Sequence, residues 1–582
     1  MTNIRHYING NDFGEPRNWQ DLEIVIDWEN KTETVTLNVT DLSFVLKANK
    51  YLQDRIFNGL NGGVGVFEGE PYEIKIGDTN NPAYTFEGYL DFADDNVIFG
   101  KEEIKLKLKK RYGDDWLNDI ADGFSFAYLY DKNVINDGDF VKIPYIINYV
   151  PDTMQMITLG LSLYMMTKEM IENVEKIAET VADISNASTP VVGAGVGVGA
   201  VAVTAWDIGD WVMVALKAIA RIAYIIAISI AIIKLMTMIF EQLFPQKRYF
   251  KGMTYKRMFE KACQHLGLTF QSSIRELEWV NMPKKENKGD DKGFPTNDSP
   301  IYTFGDLIRT MKKLFNADYR IIGNVFYFER KDKFDDINND VLPDYFQNQE
   351  RLLNEFSLNT DEIVSNYVLK FEYDTMDRNT LDNQIGRIYQ IITEPITVTN
   401  KEYVNIKNLT EIDIPFSLGS VKTKLTGLEK FAKEVGKFVD TLTGIFGNGT
   451  NIANSVQSRI GSLYLTNHFT TKDKILKVGS SGLNLNQRQF INAKYLWENY
   501  HFINSFAEIN GVHNQFFKYK NYKIPMTLKQ FQILLGKNKL YDNAGNVIFI
   551  DKLQYKPENA TAIIDYRLNK KYTNNLKLSY VE

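Results

Sequence analysis

The residues that could serve as acid–base groups, nucleophiles or metal ligands are few, and their spacing suits none of these tasks. No two histidines stand in an HExxH or HxH pattern, the spacings that bring two imidazoles to one metal ion. Cys263 precedes His265 by two positions, but such positions point apart on a helix, which excludes a local nucleophile–base pair and favours a buried core thiol. The five histidines, all expected to be structural or exposed, are His6, His265, His468, His501 and His513.

Motifs for phosphate binding and acyl transfer are missing from the sequence. It contains neither a G-x-S-x-G elbow nor a G-x-x-x-x-G-K-[ST] loop. Residues 195–200 match the loose G-x-G-x-x-A form, but no strand is evident before them. Paired carboxylates acquire meaning only when a fold brings them to about 5–9.5 Å, so a glycoside hydrolase stays open as an alternative. The sequence thus predicts no enzyme, no cofactor and no metal site.

The composition is that of a globular, modular chain. Its 582 residues correspond to about four domains. Lys and Arg total 67 against 73 Asp and Glu, a net charge of −6, which argues against specific nucleic-acid binding. The single cysteine excludes an internal disulfide framework. With no usual signal peptide at the start, folding in a reducing cytoplasm is the simplest expectation.

Residues 1–150 are predicted to form an N-terminal β domain. Apolar residues alternate with polar ones around Ile24 and Ile26, around Val35 and Leu37, and from Ile104 onwards. Dipeptides such as Asn-Gly at 9–10 supply residues that tolerate positive φ in tight turns. These features indicate strands with one solvent-facing side.

Residues 151–250 are predicted to form a long apolar helical insertion. From 222 to 240 only one charged residue interrupts a run close to the roughly 20 residues that span a bilayer. Each Lys or Arg near the centre would cost about 2.5–3.5 kcal/mol, so a buried helical hairpin competes with a membrane role. The candidate membrane or intersubunit residues are Trp206, Trp211, Lys217, Arg221, Ile225, Ile232 and Lys234.

Residues 251–345 are predicted to form a small α/β domain. Thr254 is placed to cap a helix that stops at Gly267, and Thr303 with Asp306 forms a capping-box variant that opens a second helix. That helix is expected to end at Asn316. Two apolar strands at 319–322 and 325–328, joined by Gly-Asn, give a sharp hairpin signal.

Residues 346–582 are predicted to form a C-terminal β domain interrupted by a second helical insertion at about 416–460. Apolar residues recur in that insertion at alternating gaps of three and four, a heptad seam expected to need a partner surface. The seam residues are Leu425, Leu428, Val435, Val439, Leu442 and Phe446. The predicted fold class is therefore α+β multidomain, with antiparallel β-barrel-like domains and two helical insertions.

Several segments resemble the tail hub proteins of phages, a group that includes the late-control D family and the baseplate hubs of contractile tails. Residues 302–316 with the hairpin at 319–328 are similar to a recurrent element of that group, a capped helix with a Phe-Asn stop before an apolar hairpin. Residues 545–576 look like the closing β segment of such hubs. Residues 7–10 and 15–18 look like predicted tail proteins of Bacteroidetes phages.

The resemblance implies a structural virion protein of the tail, made in the host cytoplasm. Hubs of this family form trimeric rings in which each chain supplies two similar β domains to a hexameric tube. The implied partners are sister subunits, the tail tube, distal tail and tip or spike proteins, and the tape measure. Both helical insertions depart from the family's minimal pattern, which leaves the stoichiometry open.

Two alternatives accompany the tail hub hypothesis. The first is a membrane-inserting or pore-forming tail protein whose residues 191–240 contact the host membrane transiently at genome delivery. The second is a tail-associated cell-wall or polysaccharide hydrolase with two facing carboxylates.

Overall fold

The computed structural model describes part of the chain, and all structural statements below concern that part. The described residues are 4–19, 22–27, 34–37, 41–57, 68–78, 80–93, 97–112, 120–147, 247–284, 299–334, 356–358, 366–377, 386–392, 409–425, 429–430, 432–434, 436–437, 440–441, 451–466, 468–479, 482–501, 516–534, 539–541 and 547–569. Nearly all of the predicted apolar insertion therefore lies outside the described residues.

The strands are numbered in chain order. Up to residue 147 they are β1 (Ile4–Ile8), β2 (Asn11–Asp12), β3 (Ile24–Asp27), β4 (Thr34–Leu37), β5 (Leu42–Val45), β6 (Glu70–Gly77), β7 (Pro82–Asp91), β8 (Ile98–Phe99), β9 (Glu103–Lys110) and β10 (Val141–Ile147). From there to residue 418 they are β11 (Arg248–Thr254), β12 (Thr269–Gln271), β13 (Val280–Met282), β14 (Ala317–Ile322), β15 (Val325–Arg330), β16 (Phe356–Leu358), β17 (Asn366–Glu372), β18 (Ile388–Ile392) and β19 (Leu409–Leu418). The last are β20 (Leu463–Leu465), β21 (Lys474–Leu476), β22 (Val478–Gly479), β23 (Gly482–Leu483), β24 (Phe516–Pro525), β25 (Lys539–Tyr541), β26 (Val547–Lys556) and β27 (Thr561–Asn569).

The helices are short. They are α1 (Leu46–Phe57), α2 (Phe126–Asp131), α3 (Tyr255–His265), α4 (Phe304–Phe315), α5 (Lys331–Phe334), α6 (Ile452–Gln457), α7 (Gln487–Phe490), α8 (Ala493–Leu496) and α9 (Leu528–Leu534). Single helical turns of other pitch occur at Asp137–Asp139, Arg275–Glu278 and Trp497–His501. In the second predicted insertion, the described residues between 429 and 441 are helical.

The two ends of the chain share one hydrophobic core. One sheet has the order β2-β1-β6-β7-β9-β5, with β8 beside β9, and comes entirely from the first 110 residues. A second sheet, β16-β24-β27-β26-β3-β4 with β25 beside β26, combines early and late strands, because β3 pairs antiparallel with β26. Ile24 and Ile26 pack with Leu553 and Tyr555 in this core. The first 110 residues thus form a common structural unit with residues 516–569.

The middle of the chain is built on an eight-stranded mixed sheet. Its order is β18-β17-β19-β21-β13-β11-β10-β20. The pairs β10–β20, β17–β19 and β19–β21 are parallel, unlike the antiparallel arrangement predicted, and the other pairs are antiparallel. Helices α3 and α4 and the small sheet β12-β15-β14 pack on one side of it in a second core. The described residues thus form a mixed α+β fold with curled antiparallel and mixed sheets.

Local signals in the sequence are confirmed where they are strongest. Helix α4 begins with a reciprocal capping box between Thr303 and Asp306 and ends at Asn316 in the left-handed conformation. The hairpin β14–β15 turns between Ile322 and Val325, as the Gly-Asn signal predicts. Thr254 caps α3, and β9 alternates buried and partly exposed residues.

Candidate functional site

Most of the residues proposed from the sequence for helical interfaces lie outside the described residues. This holds for all seven candidates in the apolar insertion and for five of the six seam residues. The sixth, Leu425, is half-buried and stands before the helical residues that begin at 429. The membrane helix and the intersubunit seam therefore remain predictions.

The chemically distinctive feature of the described structure is a lysine buried between two aspartates at the centre of the mixed sheet. Lys474 Nζ lies 2.7 Å from Asp374 Oδ2 and 3.3 Å from Asp377 Oδ2, and all three side chains are 0% exposed. Lys474 also donates a 3.0 Å hydrogen bond to Ser417 Oγ. We call these four residues the Lys474 cluster.

Three neighbouring strands position the Lys474 cluster. Lys474 begins β21, which pairs in parallel with β19 so that Ser417 stands beside Lys474. Strand β17, on the other side of β19, leads directly into the turn that carries Asp374 and Asp377. In that turn Asp374 Oδ1 accepts hydrogen bonds from the Met376 N–H and, at 2.8 Å, from Thr471 Oγ1.

The electrostatics of the two aspartates differ. Burial would raise the pKa of Asp374, but the charge of Lys474 and the hydrogen bonds around the turn outweigh it and hold that pKa below the usual value. Burial dominates at Asp377, whose pKa is raised despite Lys474 and a hydrogen bond from the Ser420 N–H. Burial also acts to lower the pKa of Lys474, but the two carboxylates together raise it. Of the two carboxyl groups, Asp377 is therefore the more readily protonated and Asp374 the more readily ionised.

A second buried ionic cluster lies close to the first along the chain. Glu429 accepts from Arg459 Nε at 2.8 Å and lies 2.7 Å from Lys422 Nζ, and the three side chains are 6–7% exposed. Lys422 Nζ is also 4.6 Å from the centre of the Tyr464 ring. Through these contacts, the helical residues that begin at Glu429 bind the segment that precedes β20. We call Lys422, Glu429 and Arg459 the Glu429 cluster.

Asp473 directly precedes Lys474, the first residue of β21. It makes a separate set of polar contacts on the opposite face of the extended chain. It accepts from Ser299 Oγ at 2.6 Å and from the Lys284 N–H at 2.9 Å. Burial raises the pKa of Asp473 to about 6, against the effect of these hydrogen bonds. Successive residues of one strand thus carry buried charges with partners on opposite faces.

A cavity of about 310 Å³ opens between residues 419–423 and 485–489. Arg488 donates to Ser420 Oγ at 3.1 Å on its wall, and Gln487 bonds both the N–H and the carbonyl of Lys477. Ser420 is therefore shared between the cavity wall and the turn of Asp377. The cavity offers hydroxyl, amide and guanidinium groups beside the exposed Leu485.

The histidines and the cysteine expected to be structural include three strongly buried groups. Burial lowers the pKa of His6 and of His501 to about 4, which keeps both imidazoles neutral near pH 7. Cys263 is a buried thiol in α3 whose pKa is raised by burial, as predicted for a core residue. His513 lies outside the described residues.

The described residues contain neither a grouped set of metal ligands nor a membrane-spanning helix. Within the described ranges, no three or more His, Cys, Asp or Glu side chains are grouped so that they could hold a metal ion. Within those same ranges, no helix is long and apolar enough to cross a membrane. Comparison of the chain with protein-family models and with curated proteins finds no match.

Sequence reasoning missed the Lys474 cluster. Asp374 and Asp377 are far from Lys474 in the sequence, and each is an ordinary charged residue beside a turn. Their common burial depends on the parallel pairing of β17, β19 and β21, which no local pattern reveals. The local sequence shows only that two aspartates follow within five residues of the end of β17.

Proposed function

We propose that this chain is a structural virion protein, a tail hub or tail-tip protein that closes the tail tube and connects it to the tip or spike. The observation that carries the proposal is the unit formed by α4, Asn316 and the hairpin β14–β15. The resemblance to phage tail hubs rests on this segment, and the segment folds as the capped helix and hairpin expected of it.

The packing of this unit supports a structural role. The apolar face of α4 is buried, and the helix packs on the same core as β14 and β19; its residues are Leu307, Ile308, Met311, Leu314 and Phe315. Asp122, from a distant part of the chain, binds both Thr303 at the helix start and Arg309 six residues later. The element is thereby fixed to the central core at its beginning and along its length.

The proposed assembly is a homo-oligomer, with a trimer favoured. Its further partners would be the tail tube, distal tail proteins, the tip or spike and the tape measure. Strands such as β18 and β20, which end the central sheet within the described residues, offer backbone groups for pairing between subunits. In this proposal the apolar residues 191–240 cluster near the ring axis and plug the lumen.

The test is the particle mass of the purified full-length protein, with and without liposomes. The hub proposal expects a particle about three times the 67.0 kDa chain mass that does not bind liposomes. A variant lacking residues 189–244 serves as the comparison, because it loses the apolar segment and every residue that it removes lies outside the described ranges. A monomer that binds liposomes only when residues 189–244 are present would contradict the hub and favour the membrane-inserting alternative.

Location in the virion provides a second, independent test. Antibodies raised against the purified chain should label one end of the tail in electron micrographs of the phage. Labelling absent from purified virions, with the protein present only in infected cells, would overturn the proposal.

A further inference from the structure

The Lys474 cluster is an unusual way to build a sheet, because its charges have no access to water. A buried ion pair recovers its desolvation penalty only when its geometry is good and its remaining polar atoms are satisfied. Here one ammonium faces two carboxyl groups, and all three side chains are 0% exposed. A chemical step that removed charge from this site would be favoured by burial.

The Lys474 cluster holds the three groups needed to form an amide bond between side chains: an amine, a carboxyl group and a proton acceptor. An amine lies against a carboxyl group at Asp377, where Lys474 Nζ is 3.3 Å from Oδ2. This contact places Nζ beside the carboxyl group whose carbon, Cγ, it would attack. A second carboxylate, Asp374, lies 2.7 Å from the same Nζ and is placed to accept its proton. The Ser420 N–H points at Asp377 Oδ2 from 3.1 Å, where an oxyanion would develop.

We propose that Lys474 and Asp377 form an intramolecular isopeptide bond, with Asp374 as the proton acceptor. The Lys474 ammonium passes one proton to Asp374, and the freed lone pair of Nζ attacks Cγ of Asp377. The Nζ–Cγ bond forms, the bond from Cγ to the hydroxyl oxygen breaks, and that oxygen leaves as water. No oxidant or reductant takes part.

The proton count balances, and the reaction removes both the positive and the negative charge. The reactants carry three protons on Lys474 Nζ and one on the Asp377 carboxyl group. Afterwards one proton is on the amide nitrogen, two are in the released water and one is on Asp374. The ammonium and the carboxylate have both disappeared, so the product leaves no charge in a region that is 0% exposed.

The protonation states assign the roles of the two aspartates. The raised pKa of Asp377 favours the neutral carboxyl group, which is the electrophilic form, whereas the lowered pKa of Asp374 favours the carboxylate that accepts a proton. Asp374 is further held in place by Thr471 and by the Met376 N–H.

The Glu429 cluster provides an internal comparison within the same chain. Lys422 also lies 2.7 Å from a buried carboxylate, that of Glu429. Arg459 binds the same carboxylate at 2.8 Å, and a guanidinium is effectively always charged, so Glu429 is kept ionised and poorly electrophilic. Among the residues that the structure describes, no second carboxylate lies against Lys422 Nζ to take its proton. We therefore expect no bond at Lys422.

The proposed bond would join the turn after β17 to the start of β21, across β19. It would close a large loop of the chain covalently and prevent β21 from separating from β17. A covalent link at this point suits a protein that transmits force, but the chemistry stands whether or not the chain is a tail hub.

The decisive experiment is mass spectrometry of the full-length protein. The denatured chain should weigh less than its sequence mass by one water, about 18 Da. Because an aspartate that cyclises onto the backbone also loses water, the linked peptides must be identified. Trypsin should release residues 371–378 joined to residues 473–477, with fragmentation placing the link between Asp377 and Lys474.

Three variants sharpen the test. Asp377→Asn should still react but with loss of ammonia, about 17 Da, because the side-chain amide replaces the acid as electrophile. Asp374→Asn removes the proton acceptor and should leave the full mass. Glu434→Gln changes a carboxylate to an amide in an exposed ion pair and should retain the link.

The result that decides the proposal is obtained on the wild-type chain, so it does not depend on whether a variant folds. A wild-type chain of full mass would overturn the proposal if, after prolonged incubation of the folded protein, residues 371–378 are recovered unlinked and trypsin cuts after Lys474 to release residues 473–474 and 475–477. The cluster would then be an ordinary buried ion triad. A linked peptide at Lys422 would overturn the role given to Asp374.

Discussion

Removing the charge of Glu429 should destabilise the region around it far more than removing the charge of Lys422. Glu429 contacts two cations, Lys422 and Arg459, in a cluster that is 6–7% exposed. Glu429→Gln removes the carboxylate that both cations contact, whereas Lys422→Met leaves the Glu429–Arg459 contact intact. The two substitutions therefore affect the same cluster, but they differ in the number of ionic contacts that they remove.

The expected loss of stability follows from the contacts that each substitution removes. Breaking a buried ion pair by removing one partner costs about 3–5 kcal/mol, and Glu429→Gln breaks two contacts at once. Lys422→Met loses one charge-assisted hydrogen bond, worth about 1.5–3 kcal/mol, and is partly compensated because a desolvated ammonium is also removed. We expect the double variant to cost less than the sum of the two, because both single changes break the same contact.

Hydrogen exchange of the native protein is the appropriate assay, because a chain with several cores does not unfold in one two-state step. Peptides covering α6 and β20 report on the segment that contains Arg459. Protection in them should fall by about 100-fold or more for Glu429→Gln, at about 1.4 kcal/mol per factor of ten, and by clearly less for Lys422→Met. An equal or larger effect of Lys422→Met would refute the reasoning.

Further predictions concern a helix cap, a close backbone approach and two buried titrating groups. Thr303→Ala removes the cap of α4 and the hydrogen bond to Asp122, and should lower the local stability by about 1–2 kcal/mol, measured as lost hydrogen-exchange protection in peptides that cover α4; the same substitution of an exposed threonine should cause no such loss. Gly252→Ala would place a Cβ 2.4 Å from Ile143 Cδ1, so we expect a local loss of about 1–3 kcal/mol and lower hydrogen-exchange protection of β11. The pKa of His501 is lowered to about 4, so its contribution is present above the unfolded value of 6.5 and is lost as the pH falls from there to about 4; His501→Gln should flatten this acid loss. The pKa of Asp473 is raised from 3.8 to about 6, so its contribution has the opposite sign and stability is lost as the pH rises through that window; Asp473→Asn should remove this slope, and an unchanged pH profile would contradict the assignment.

The sequence predicts the elements whose causes are local. The capping box at Thr303, the left-handed stop at Asn316 and the period of β9 each depend on residues within one or two turns of chain, and each is found where expected. The pairing of β3 with β26 was not predicted, because its two strands lie at opposite ends of the chain and neither carries a mark of its partner. The buried Lys474 was missed for the same reason.

The placement of buried charges along β21 argues that they specify how the central sheet is assembled. Lys474 and Asp473 are neighbours, point to opposite faces and have buried partners on each. A slip of β21 by one residue would exchange the two faces, setting the ammonium towards the apolar core of α3 and α4 and the carboxylate towards Leu463 and Leu465. Both charges would then be buried without partners, at a cost of several kcal/mol each. If positions 473 and 474 were apolar, such a slip would cost less, because each face of β21 meets an apolar core. Ile475 packs in one of these cores and Leu476 in the other. In a sheet whose neighbouring strands come from distant parts of the chain, the charges thus select one register among several that hydrophobic burial alone would allow.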